Sequence, residues 1–514
     1  MKIPRVMLIV PPGGYFAERW SGGSMMPALG IQYIAAVLET DGIDVEIVPS
    51  HVLDLSWQEL ARKIETDRPD VVGITTTTEN RFLSFRVAET AKAAFPPALT
   101  VLGGPHLKNT ARDTLAHVPA VDAVISGEGE ETMRDLVRCL GAVGDLGRVA
   151  GLSFRRPDGT IQENSPRPLI ADLNSLPLPA RHLEPWGRYN FSMEVPGHGL
   201  LPAGNMMTSR GCPFTCKFCA TPSNWGTKVR SLSPEKVVAE VEHLADRYGS
   251  RVIWFYDDTF NFSRARTAAI CDLIIERRLG IKWFCEVRVD ILNKSLFAKM
   301  VEAGLYHVGF GIESGSERIC RDIITKKATL GQAYDVIEWC GEFGVNANPF
   351  FIFSHPTETW NEARETMSII EDLEGKCETS VAILHVYPGT PLEERARAEG
   401  NIPKDFSWSI ENDRRAIVLP AAQGHAPLYL DRLTWGQLCE IMVRFSVAKK
   451  SIRWTRKIPK VLGSIRSFGD VWRYFILFLT LIRFKAGGLV GIGAKRRATG
   501  RGSDELSLSR KVAI

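Results

Sequence analysis

"SRGCPFTCKFCATPSNWG", Ser209–Gly226, holds three of the chain's ten cysteines, spaced C-x-x-x-C-x-x-C at Cys212, Cys216 and Cys219. A structural zinc site is tetrahedral and takes four ligands. His198 or His243 would have to supply the fourth, and neither sits at a zinc-finger-like spacing. A cubane iron–sulfur cluster has four irons, and each accepts one thiolate. Three cysteines then leave one iron open to chelate a small ligand through an amine and a carboxylate. The spacing favours the cluster over zinc.

The cysteines follow directly on "NMMTSR", the first of six apolar segments that read as strands. The others are "RVIWFYD", "IKWFCEVR", "YHVGFGI", "NANPFFIF" and "TSVAILHVY". Helical patterns lie between them, such as "SPEKVVAEVEHLADRYG" with its Ser233-Pro234 start. Six strand–helix units predict an open, partial (β/α)6 barrel over 201–400, with its chemistry at the C-terminal ends of the strands.

The first 148 residues alternate in the same way. "RVMLIV", "VEIV", "DVVGIT", "LTVLGG" and "DAVISG" read as strands, with "LGIQYIAAVLETDG", "WQELARKIETDRP" and "RFLSFRVAETAKAAF" as helices between them. This predicts an α/β domain with a doubly wound parallel sheet, whose ligand binds beyond the carboxyl ends of its strands. Residues 149–200 are rich in Pro and Gly and read as a linker. Past 400 the pattern loosens into a basic, aromatic, mainly helical C-terminal region, 401–514.

The composition, 45% hydrophobic and 24% charged, is that of a globular protein, and 514 residues are too many for one core. The N-terminal apolar run ends at Pro11-Pro12 and reads as a strand, not a signal peptide. The seven cysteines outside the triplet are scattered, which suits a reducing cytoplasm and buried thiols. The net charge is +4, yet residues 441–514 hold 17 Lys+Arg against 3 Asp+Glu. A mildly acidic body thus carries a basic tail. Within the tail, Tyr474–Ile482 is about half the roughly 20 apolar residues that a spanning helix needs. A core or subunit-contact helix is the first expectation there. A helix lying at the inner face of a membrane is the second.

The triplet, with Phe218 just before its last cysteine, resembles the signature of the radical S-adenosylmethionine (radical SAM) enzymes. The resemblance runs over about Met206–Gly400. It implies that Cys212, Cys216 and Cys219 hold a 4Fe–4S cluster and that SAM chelates the open iron. It further implies SAM contacts from Phe218, from Asp257 and Asp258 in "YDDTF", from Arg288 in "EVRVD", and from Glu313 and Ser314 in "GFGIESGSE". On the residues alone, the two aspartates could instead cap a helix and the glycines could make turns.

The N-terminal segments "MPALGIQYIAAVLE", "VLGGPHL" and "ISGEGEET" resemble the first domain of the cobalamin-binding radical SAM enzymes. That resemblance places cobalamin against Thr75, Thr77, Gly103, Gly104, His106, Ser126, Gly127, Glu128 and Gly129. The family's D-x-H-x-x-G is missing from "PPGGYFAERWSGGSMMP", so no histidine there ligates cobalt. Asn80, Arg81 or His106, a water, or no lower ligand remain as alternatives. An unrelated nucleotide-binding unit would want a G-x-G-x-x-G after the first strand, and none is present.

The resemblance implies a C-methyltransferase that passes a methyl group from SAM by way of methylcobalamin to an unactivated carbon of a small-molecule, lipid-like or tetrapyrrole-like substrate. It also implies an electron donor such as flavodoxin or ferredoxin. A cyclisation or rearrangement on the same cofactors is the alternative. A non-catalytic sensor is a third reading, and no DNA-binding module is evident to serve it. The expected location is cytoplasmic, with peripheral membrane contact through the basic tail as an added possibility and no nucleic-acid partner.

Overall fold

The computed structural model describes residues 4–12, 26–142, 144–410 and 426–448. Its first sheet contains β1 (Val6–Val10), β2 (Val45–Pro49), β3 (Val71–Thr75), β4 (Leu99–Gly103), β5 (Ala123–Ile125), β6 (Leu152–Arg155) and β7 (Ile161–Glu163), in the order β2-β1-β3-β4-β5-β6-β7. The first five run parallel, and β6 and β7 are added antiparallel. Alternation along β1 builds two cores. Val6 and Leu8 face helices Leu29–Thr40 and Glu130–Gly141, while Met7 and Ile9 face helices Trp57–Asp67 and Arg81–Ala94. This is the expected doubly wound arrangement. Its chain order reverses between β1 and β3, where such sheets open a crevice.

The second sheet contains β8 (Ser192–Val195), β9 (Gly199–Met206), β12 (Val252–Phe255), β13 (Lys282–Glu286), β14 (Leu305–Glu313), β15 (Asn346–Phe353) and β16 (Ser380–Ile383). Its order is β16-β15-β14-β13-β12-β9-β8, with six parallel strands and β8 antiparallel at one edge. The partial barrel is therefore present, and its apolar core includes Phe255, Trp283, Phe310 and Phe353. A small antiparallel ribbon, β10 (Ser209–Arg210) with β11 (Arg230–Ser231), stands beside it.

Two expectations change. "NMMTSR" is not one strand: β9 starts at Gly199 and stops at Met206. Tyr256 N–H makes the last rung to the Met206 carbonyl, and the Thr208 N–H then turns to the Asp257 carboxylate at 2.6 Å. The 149–200 stretch is more than a connection. It supplies β6 and β7 to the first sheet and β8 to the second. Pro and Gly density marked its turns and masked its short edge strands, where such residues are tolerated.

After the barrel the chain returns to the first domain. Arg81 Nε donates to the Trp408 carbonyl at 2.8 Å, and Ser409 Oγ lies 3.2 Å from Thr114 Oγ1. Helix Trp435–Ala448 buries Leu438, Ile441 and Phe445 against the barrel core. The basic tail beyond 448, including Tyr474–Ile482, lies outside the described residues. Among the described residues no helix is long and apolar enough to cross a membrane.

Candidate functional site

The thiol loop leaves β10, just past the end of β9, and is pinned along its length. Gly211 adopts φ +96, and a Cβ there would meet the Lys228 carbonyl at 2.8 Å, so only glycine suits this turn. The Cys212 N–H donates to the Gly226 carbonyl, the Lys217 N–H to Ile324 and the Cys219 N–H to Cys216. Cys212 Sγ lies 3.5 Å from Thr259 Oγ1, and the Thr221 N–H donates to Cys219 Sγ at 3.4 Å. Burial raises the Cys216 and Cys219 thiols above their ordinary range, and the charges of Lys326 and Arg288 pull Cys216 back down. Among the described residues no three Cys, His, Asp or Glu side chains converge as one metal ion requires. A cubane spreads its thiolates over separate irons.

Several strand ends meet this loop. Asp258 accepts from Thr221 Oγ1 at 2.7 Å. Arg288 carries its guanidinium 3.6 Å from the centroid of Phe214, inside the thiol loop, and is held there by two bonds to Asp290 at 2.9 and 2.8 Å. Glu313 stands at φ +70, a strained backbone of the kind that collects at functional sites. Its carboxylate takes Lys326 Nζ at 2.7 Å, and Lys326 also donates to the Gly311 carbonyl. Ser314 bonds to Thr366, and with Gly311, Gly315 and Lys326 it lines a cavity of about 560 Å³. Phe218 packs beside Leu384 and Leu392, its ring 6.1 Å from that of His355.

A second cavity, of about 410 Å³, opens at the carboxyl ends of β1, β3, β4 and β5. Thr75, Thr77, Gly103, Gly104, Gly127, Glu128 and Gly129 line it. Their smallness makes the space. A Cβ on Gly104 would come within 2.4 Å of the Thr76 carbonyl, and one on Gly129 within 2.9 Å of Ile34. The barrel supplies the facing wall through Asn205, Met207, Arg210 and Tyr256.

Residues 206–370 match the radical SAM superfamily, and residues 21–137 match the B12 binding domain. An uncharacterised methyltransferase of Pyrococcus horikoshii is 35% identical over 79% of this chain and 86% of its own. The chain belongs to the cobalamin-binding radical SAM family. An anaerobic magnesium-protoporphyrin IX monomethyl ester cyclase of Rubrivivax gelatinosus is 29% identical over 84% of this chain and 76% of its own. The solved structure of the cobalamin-dependent SAM radical enzyme OxsB, with aqua-cobalamin and SAM bound, shares the fold at TM-score 0.69 and 16% identity, covering 93% of this chain and 71% of that one. This radical SAM enzyme thus joins a domain for the cluster and SAM to a domain for cobalamin.

Three expected contacts of this radical SAM protein are arranged differently. Asp257 is buried, and its carboxylate is spent on Thr208 N–H, Thr208 Oγ1 and Ser209 Oγ, so it holds the β9 exit. His106 is absent from the cavity lining. It is buried with Nδ1 3.1 Å from Thr78 Oγ1 and its ring edge-on to Trp408, and burial pushes its pKa down to about 3. Ser126 likewise does not line the cavity; its N–H donates to the Gly151 carbonyl. Of the lower-ligand alternatives, Asn80 and Arg81 do not line it either. The Asn80 carboxamide oxygen accepts from the Thr77 N–H, and Arg81 faces Trp408. The first loop of the B12-binding domain, 13–25, lies outside the described residues.

Other parts of the site gave no sequence signal. Arg210 Nη1 and Nη2 donate to Glu128 at 2.9 Å and Glu130 at 2.6 Å, and Arg230 donates a second bond to Glu128 at 2.7 Å. Tyr33 and Trp225 cover the Arg210 guanidinium. This buried network ties the cobalamin-side loop to the residue two places before Cys212. Lys326 comes from a segment far from the cysteines in sequence, and only the fold brings it to Glu313 beside the thiol loop.

Proposed function

We propose that this chain is a cobalamin-dependent radical SAM methyltransferase that places a methyl group on an unactivated carbon of a small-molecule substrate. The observation that carries the reading is a shared wall. Arg210 and Tyr256 both line the 410 Å³ cavity, and each adjoins elements of the thiol-loop site, Cys212 on one side and Asp258 on the other. Chemistry that uses two cofactors on one carbon needs them to face a common space.

In this reading Cys212, Cys216 and Cys219 hold the cluster. Phe218, Asp258, Arg288, Glu313 and Ser314 surround SAM, with Lys326 fixing Glu313. Thr75, Thr77, Gly103, Gly104, Gly127, Glu128 and Gly129 form the cobalamin cradle. When bound, the cluster with SAM supplies one-electron hydrogen abstraction, and cobalamin supplies methyl transfer. The chain's own groups do the rest. Arg288 and Lys326 place positive charge beside Cys216 and favour its thiolate. The mainly apolar lining of the cavity disfavours water beside the reacting groups. An electron donor of the flavodoxin or ferredoxin type would reduce the enzyme.

The test is anaerobic turnover of reconstituted protein with candidate substrates. S-adenosylhomocysteine and 5′-deoxyadenosine formed together, in step with a methylated product, support the reading. A second reading, cyclisation without methyl transfer, is favoured by the similarity to relatives named as cyclases. Deoxyadenosine without S-adenosylhomocysteine would select it. Protein that takes up zinc but no iron would sink both.

A further inference from the structure

We propose that Asn205, on the barrel strand β9, recognises a peripheral carboxamide of cobalamin. This rests on the reading that the 410 Å³ cavity holds that cofactor. The cavity is lined largely by apolar groups, and Asn205 is 1% exposed at its barrel wall. Its Nδ2 donates to the Pro27 carbonyl at 3.0 Å. That bond fixes the amide orientation, because a carbonyl can only accept and a flipped Asn205 would set oxygen against oxygen. Oδ1 is therefore the free end. It is shielded from solvent and has no hydrogen-bond partner among the described residues.

A buried acceptor left unpaired is costly, and natural sites rarely keep one without a purpose. Several polar groups elsewhere on the cavity wall are engaged with one another. Lys108 Nζ donates to the Asn224 carbonyl, and Arg210 donates to both Glu128 and Glu130. Asn205 Oδ1 is left to meet a donor on whatever fills the cavity. The rim of a corrin ring carries primary carboxamides, whose N–H groups are such donors. An Asn at this place would prefer an amide rim to a carboxylate one, since two acceptors repel. β9 runs on into the thiol loop, so the contact makes cobalamin retention depend on the barrel as well as on the B12-binding domain.

The test is equilibrium binding, read by the visible absorption of the corrin and independent of turnover. Cluster-reconstituted, cobalamin-free full-length protein is titrated with hydroxocobalamin and with its analogues that carry one peripheral amide hydrolysed to a carboxylic acid. Asn205→Leu is titrated in parallel. The expected result has two parts. Asn205→Leu binds hydroxocobalamin about tenfold more weakly, the scale of one buried hydrogen bond. One monocarboxylate analogue is also bound about tenfold more weakly by the wild type, and Asn205→Leu no longer distinguishes it from the parent. Equal wild-type affinity for every analogue overturns the contact, whatever the variant does. Discrimination that persists in Asn205→Leu overturns it too. Wild-type protein that takes up no hydroxocobalamin removes the cobalamin reading itself, a different failure from loss of the Asn205 contact alone.

Discussion

Arg210 Nη1 lies 2.9 Å from Glu128 Oε1, and both side chains are nearly closed to solvent. Burial by itself would raise the Glu128 carboxyl. Arg210 and Arg230 outweigh it and hold the pKa below its ordinary value. Breaking a buried pair by removing one partner strands the other charge and costs about 3–5 kcal/mol. Glu128→Ala should therefore lower the thermal unfolding midpoint and weaken cobalamin uptake together. A midpoint equal to that of the wild type would show that the pair is replaceable by water.

Each of Cys212→Ala, Cys216→Ala and Cys219→Ala should reduce bound iron to near background after anaerobic reconstitution, while hydroxocobalamin binding stays within about twofold of wild type, since among the described residues no thiol lines the 410 Å³ cavity. Iron analysis and visible absorption read the two independently. Iron retained in all three variants would place the cluster elsewhere.

Gly104→Ala tests the cradle. Gly104 sits at φ +122 with the Thr76 carbonyl 2.4 Å from where a Cβ would stand. Both the backbone and the space oppose a side chain, and the cost should be about 1–3 kcal/mol of stability. Cobalamin affinity should fall at least tenfold, because the loops after β3 and β4 must part. Unchanged affinity would mean that this rim does not touch the ligand.

Glu184 tests an electrostatic expectation away from the chemistry. It is 6% exposed and accepts from Gln32 Nε2 and from Tyr189 Oη. Burial raises its pKa from 4.5 to about 7. Between those values the folded state binds a proton that the unfolded state has lost, so stability falls as pH rises through that window. Glu184→Gln keeps an acceptor and removes the penalised charge. Its thermal midpoint should exceed that of the wild type at pH 8, and the gain should shrink by pH 5. A gain independent of pH would assign the effect to packing.

Both sheets were legible in the chain because their strands are short apolar runs with helices between them. The thiol triplet was legible because its spacing is local. What sequence could not supply was direction. Asp257 and Asp258 are neighbours, yet successive residues leaving a strand point to opposite sides. One is buried under the β9 exit, and the other meets Thr221 beside Cys219. His106 stands in a loop that could have faced the cavity. Its orientation is set with Trp408, from a segment whose return to the first domain left no periodic trace. Lys326 reaches Glu313 across a π-helical turn, Ile319–Ile324, that no apolar pattern announces.

The return of the chain at Trp408 has a consequence in time. Arg81 and the carbonyl that receives it are 327 residues apart. At roughly 5–20 residues per second of synthesis, Trp408 is made roughly 16–65 s after Arg81. Through that interval His106 and Arg81 lack the cover of Trp408, although the residues of the cavity's barrel wall, Asn205 to Tyr256, are made well before it. The pocket wall can therefore form before the cover over His106 and Arg81 arrives.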